Sequence, residues 1–178
     1  MTENKSFTSM RNDPKNIFEL QRALNYIARF VSEIPAVNPD GIYGAETEAA
    51  VSGFQNLHGI EPTGEADFET WTAVFDVYRA KQRKNGTPKP VHVFPHTIAS
   101  MKEGDSFDEV YVLQVMLRRL SRIYTNIGDA EINGVFDSST KRAVNDIKGS
   151  CGMEQNGEAD REFWNIIADT YSAFTFND

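Results

Sequence analysis

The sequence predicts an all-α protein made of two three-helix bundle repeats joined by an extended, proline-bearing connector. Three observations carry that expectation. The stretch from Phe18 to Tyr78 overlays Tyr111 to Tyr171 without a gap, so Leu20, Gln21, Leu24, Gly41, Thr47, Ala50 and Val51 fall on Leu113, Gln114, Leu117, Gly134, Thr140, Ala143 and Val144. The tetrapeptide at 64–67 (GEAD) recurs at 157–160, and Trp71 recurs as Trp164. Within each copy, apolar residues return every three or four positions, the period of an amphipathic helix. A self-match of this length marks two copies of one folding unit, so any function must be one that two copies can share.

The first helix of copy one places Ile17, Leu20, Leu24, Ile27 and Val31 on one face, and copy two repeats this with Val110, Leu113, Leu117, Leu120 and Tyr124. Gln21 and Gln114 sit among these leucines, where an unpaired amide would cost about 1–3 kcal/mol, so each needs partners, most simply the backbone of the neighbouring loop. The helix runs out in the polar stretch from Ser32 to Pro39, or from Thr125 to Asn133. Asp40-Gly41 and Asn133-Gly134 then make tight turns that aim an apolar pair back at the core. A second helix starts near Ala45 or Ser138, with Asp137 as the cap in copy two. Its buried face is Ala50, Val51, Phe54 and Leu57, matched by Ala143, Val144 and Ile147. After a glycine-punctuated loop, Asp67 and Asp160 cap a third helix presenting Trp71, Val74 and Tyr78, or Trp164, Ile167 and Tyr171 to the core. Three helices around one core is the simplest closed solution.

The expected organisation is a flexible N-terminus over residues 1–13, a first repeat over 14–80, a connector over 81–104 and a second, more divergent repeat over 105–178. Asn85-Gly86, Pro88, Pro90 and Pro95 break helical structure in the connector, which should be extended from Lys81 to Pro95. Val91, Val93, Phe94 and Ile98 are apolar enough to lie across a neighbouring surface.

Charge and composition exclude several functions. The net charge of −8 divides into about −7 over 14–78, about −6 over 105–178 and about +5 over the basic stretch between them. Acidic units repel phosphate backbones, so nucleic acid is not an expected partner. No run approaches the length needed to span a bilayer, so no membrane insertion is expected. The single cysteine, Cys151, cannot form an internal disulfide and leaves the redox compartment open. The N-terminal stretch lacks the apolar segment of a secretory signal.

Catalysis is not expected. His92 and His96 are spaced as half a helical metal site, but Pro95 lies between them and the glutamate of a metalloprotease order is missing. Cys151, at the position of His58 in copy one, has no evident base. A glycosidase needs two carboxylates held across a cleft, which two small bundles offer only at their junction. No metal, cofactor or catalytic residue is therefore expected.

The pattern Leu20-Gln21, Leu24, Asp40-Gly41, Tyr43-Gly44, Thr47, Ala50-Val51, Phe54-Gln55, Gly59, Thr63-Gly64 and Thr70-Trp71 resembles the peptidoglycan-binding domain family. Copy two departs from it: Asn133-Gly134 replaces Asp-Gly, Asp137 stands where glycine is expected, and Ile147-Lys148 replaces Phe-Gln. The resemblance implies a three-helix fold and a noncatalytic hold on the bacterial cell wall, frequently as the targeting arm of a wall hydrolase. Peptidoglycan is the implied ligand, and a wall hydrolase or another protein the implied partner. The implied location is the cell wall or extracellular space, with the cytoplasm as the alternative. Two rival readings of the same fold are a protein–protein adaptor or assembly component, and a wall hydrolase.

Binding a glycan strand with peptide stems asks for a shallow groove, an aromatic face and convergent hydrogen-bonding groups. Asp40, Tyr43, Thr47 and Gln55 are the candidates in copy one, with Asn133, Phe136 and Thr140 as their counterparts in copy two. The same residues have structural uses: turn glycines beside an aspartate shape the chain, and an aromatic after the turn fills a core.

Overall fold

The computed structural model describes residues 12–84, 94 and 98–175. Among them are six helices and one pair of short strands: α1 (Pro14–Ala28), α2 (Ala45–Leu57), α3 (Phe68–Lys84), β1 (Ser100–Met101), α4 (Asp108–Ser121), α5 (Ser138–Ser150), β2 (Ala159–Asp160) and α6 (Arg161–Thr175). The chain divides into two compact units that carry one repeat each.

In the first unit, Asp13 accepts the Lys15 backbone N–H at 2.9 Å and Pro14 occupies the first turn of α1, where its missing N–H costs nothing. The core holds Ile17, Leu20, Leu24 and Ile27 from α1, Ala50, Val51 and Phe54 from α2, and Val74 and Tyr78 from α3. Each valine, leucine, isoleucine or phenylalanine among these contributes about 1.5–3 kcal/mol when fully buried. Tyr26 meets Tyr78 edge to face at 5.2 Å. The loop after α1 is pinned by Asn25, whose side chain accepts the Val37 N–H at 2.9 Å and donates to the Val37 carbonyl.

The second unit repeats the plan. Val110, Leu113, Leu117 and Leu120 of α4 pack with Ala143, Val144 and Ile147 of α5 and with Phe163, Trp164 and Ile167 of α6. Asp108 and Glu109 in the first turn of α4 and Arg118 and Arg119 in its last turn complement the helix dipole. Asp160 caps α6 by accepting the Phe163 N–H at 2.8 Å, as Asp67 accepts the Thr70 N–H at 2.8 Å in the first unit.

Both glutamines have the partners their burial demands. Gln21 is 1% exposed; its Nε2 lies 2.8 Å from Asp40 Oδ1, 2.9 Å from the Ile42 carbonyl and 3.0 Å from Thr47 Oγ1. Its Oε1 accepts the Gly41 N–H at 2.9 Å. Gln114 repeats the set on Asn133 Oδ1, the Val135 carbonyl, Thr140 Oγ1 and the Gly134 N–H. Gly41 and Gly134 both have φ of 75°, a conformation that a side chain would strain.

The expected helical fold of two three-helix units stands, with one addition and several local corrections. Beside the helices, β1 pairs antiparallel with β2, Ser100 opposite Asp160 and Met101 opposite Ala159. Strands this short leave no alternating pattern to read. The third helix does not stop before Lys81 but continues to Lys84, since Lys81, Gln82, Arg83 and Lys84 are good helix formers and the cations suit a helix C-terminus. Val31 and Tyr124 lie beyond the ends of their helices, and Leu57, the last residue of α2, is 42% exposed because Phe54 already fills the core there. Trp71 is half-buried against Phe75 at 5.5 Å, whereas Trp164 is 3% exposed beneath Phe94 at 6.0 Å. Phe94 thus uses its apolar surface as expected, while Val91, Val93, His92 and His96 lie outside the described residues.

Replacing Gln21 by leucine strands the Gly41 N–H and removes the donor that Asp40, the Ile42 carbonyl and Thr47 share. Urea denaturation of Gln21→Leu should show a loss of on the order of 1–3 kcal/mol, and Gln114→Leu a similar loss in the second unit.

Candidate functional site

What α1 does for the first turn, α2 does for the second loop of the first unit. Gln55 is 1% exposed, with Nε2 at 2.9 Å from the Glu65 carbonyl and 3.0 Å from Thr70 Oγ1, and its Oε1 accepts the Gly64 N–H at 2.9 Å. The loop so held curls toward Tyr43. The Tyr43 hydroxyl donates to the Gly64 carbonyl and accepts the Ala66 N–H, both at 2.9 Å, which leaves the ring half-buried at the surface.

A hollow of about 370 Å³ opens beside that ring, lined by Asn12, Tyr43, Glu48, Thr63, Gly64 and Glu65. None of these lining residues is basic. Of the four candidates in copy one, Tyr43 alone lines it. Asp40 accepts Gln21 and the Ile42 N–H through Oδ1, Thr47 is 1% exposed between Gln21 and the Ile42 carbonyl, and Gln55 holds the loop. Asn12, Glu48, Thr63 and Glu65 were not singled out by sequence reasoning. One signal was there: Glu48 of copy one falls on Lys141 of copy two, a charge reversal inside an otherwise well-matched stretch.

The second unit keeps the backbone and changes the chemistry. Asn133 is exposed and serves its turn, accepting Gln114 and the Val135 N–H. Phe136 and Thr140 are both 0% exposed. Lys148 replaces Gln55 and is 1% exposed; its Nζ donates to Asn156 Oδ1 at 2.7 Å, stands 3.6 Å from Asp160 Oδ2 and 6.0 Å from the Phe163 ring centroid. Asn145 Oδ1 takes over the glycine, accepting the Gly157 N–H at 2.8 Å.

Two titrating groups are displaced. His58, stacked on Phe54 at 4.3 Å, is held below the usual histidine range, first by burial and then by the positive charge of Lys81. Burial pushes Asp137 upward, but this is outweighed by hydrogen bonds from the Thr140 N–H, the Ser139 hydroxyl, the Asn133 amide and the Thr140 hydroxyl, which hold it well below the usual carboxylate range. Among the described residues no group of three His, Cys, Asp or Glu side chains is placed to hold a metal, and no helix is long and apolar enough to cross a membrane.

A family model described as "Putative peptidoglycan binding domain" matches residues 13–74 and 107–167. No curated protein and no solved structure matches the chain.

Asp137 caps α5, so Asp137→Ala should lower stability by about 1 kcal/mol at neutral pH in urea denaturation. Its folded value is depressed, so its contribution is complete above the ordinary aspartate value of about 3.9 and fades as pH falls through and below that value. The gap between wild type and variant should therefore close on acidification.

Proposed function

This chain belongs to the peptidoglycan-binding domain family, in two copies that together span most of its length, and we infer that it holds bacterial cell-wall peptidoglycan without catalysing a reaction on it. The observation that carries this reading is the hollow beside Tyr43 in the first unit. Its volume falls at the lower end of the roughly 300–1,000 Å³ typical of ligand sites, and it combines one aromatic face with a few polar groups. The tied hydroxyl fixes the Tyr43 ring, so little conformational entropy is lost when a sugar or peptide surface lies against it.

Asp40, Thr47 and Gln55 act in this reading by shaping the two loops rather than by touching the ligand. In the second unit Phe136 and Thr140 are committed to the interior, and Asn133 to its turn, so the first unit carries the main hold. The site of action is the cell wall. A wall hydrolase on a separate chain is the partner such a hold would serve, by concentrating it at its substrate.

Sedimentation with purified sacculi tests the reading. The full chain should pellet with the wall at low and at physiological salt while leaving wall turbidity unchanged. Tyr43→Ala should weaken binding about tenfold. Recovery of the wild-type protein entirely in the supernatant would count decisively against wall binding.

A further inference from the structure

We propose that the exposed face of α4 pairs with the same face of a second copy of this chain, the two helices running antiparallel about a two-fold axis. Tyr111 and Val112 are each 48% exposed and Val115 is 41% exposed. Val115 lies three residues from Val112 and four from Tyr111, so the three side chains form one apolar patch on the solvent side of the helix. A β-carbon on Gly134 would run into the Tyr111 ring, so the patch continues onto the turn, where Val135 is also exposed.

The first unit has no such face on its matching helix. The residues that correspond to these three are Phe18, which is buried, and Glu19 and Arg22, which form an ion pair at 2.5 Å. The second unit exchanges that ion pair for two valines and turns its aromatic outward. A single exposed valine needs no explanation, but apolar side chains gathered on one exposed surface mark a place of contact.

Charge decides what covers it. Asp108 and Glu109 stand in the first turn of α4, Arg118 in its last turn and Arg122 at its C-cap. A second copy laid parallel would set like charges against like. Laid antiparallel, with Val112 opposite Val115 of the second copy, the same register puts Glu109 opposite Arg118 of that copy, and the two-fold repeats both pairs. This self-complementarity is what an isologous dimer requires. Arg118 reaches Asp129 at 4.0 Å, and a guanidinium with five N–H donors can meet a second carboxylate as well. One helix face is smaller than the roughly 1,200–2,000 Å² of stable interfaces, and chains of net charge −8 repel at a distance. The pairing is therefore weak, with a Kd of about 10–100 µM. On the wall-binding reading above, a pair carries two first units, and two holds on a repeating polymer are tighter than one.

Sedimentation velocity of the full chain at physiological salt tests the proposal without reference to the wall. Between about 5 and about 500 µM the wild type should pass from monomer to dimer. Val112→Glu/Val115→Arg restores the residues of the first unit at two exposed positions with good helix formers, so it should keep the wild-type circular dichroism and stay monomeric. Glu109→Lys and Arg118→Glu should each pair roughly threefold more weakly alone. An equal mixture of these two should recover wild-type pairing, because the antiparallel heterodimer restores both ion pairs. A wild type that is monomeric throughout overturns the proposal, and loss of sacculus pelleting by Val112→Glu/Val115→Arg would then give the face to the wall. A Val112→Glu/Val115→Arg variant that still pairs overturns the assignment to α4. A mixture that pairs no better than its components overturns the antiparallel arrangement.

Discussion

A buried glutamine amide on the first helix of each unit is the constraint on which the rest depends. Its carbonyl oxygen accepts the N–H of the turn glycine, and its amide hydrogens reach the turn's aspartate or asparagine, a turn carbonyl and the threonine of the next helix. One side chain therefore specifies where α1 ends its influence, how the turn closes and where α2 begins. Fully satisfied, a buried amide of this kind fixes one arrangement; partly satisfied, it would oppose folding. The position of Tyr43, and with it the hollow, follows from that closure.

The second loop shows how the same backbone is closed by different chemistry. Gln55 does the work alone in the first unit. In the second unit the work is divided, with Asn145 receiving the glycine N–H and Lys148 reaching Asn156 and Asp160. A buried lysine without acceptors would be strongly unfavourable, so its cost is offset by those oxygens and by the Phe163 face. The aromatic after the first turn tells the same story. A tyrosine hydroxyl must have partners, and finding them on Gly64 and Ala66 keeps the Tyr43 ring at the rim; phenylalanine has no such demand, and Phe136 goes inside.

Most of the fold was legible because helices announce themselves through periodicity and through caps. The faces of α1 and α4, the capping roles of Asp67, Asp137 and Asp160, and the need of Gln21 and Gln114 for loop partners could all be reasoned from single residues. The errors fall where no periodic signal exists. A strand pair as short as Ser100–Met101 with Ala159–Asp160 has no alternation, and the end of α3 depended on weak propensities against downstream breakers. The candidate site was less legible than the fold. Asp40, Thr47 and Gln55 are polar residues near a turn, and sequence cannot distinguish a polar group aimed at a ligand from one aimed at its own backbone. That distinction is made by burial and by the direction of the hydrogen bonds.

Departures of the second copy from the family pattern read differently once the hydrogen bonds are known. Asn133 for aspartate preserves the acceptor that the glutamine and the turn require. Asp137 for glycine adds a side-chain cap to α5, where Gly44 gives α2 none. Each change keeps or strengthens the closure of a loop, so divergence has not been permitted to erode the fold. At the hollow, by contrast, Tyr43, Glu48 and Thr63 become Phe136, Lys141 and Asn156, while the glycine beneath them stays. The scaffold positions are constrained by buried polar groups that must be satisfied; the positions facing solvent are constrained only by what they meet there. A pair of repeats that agree on the first set and differ on the second has one architecture and two surfaces.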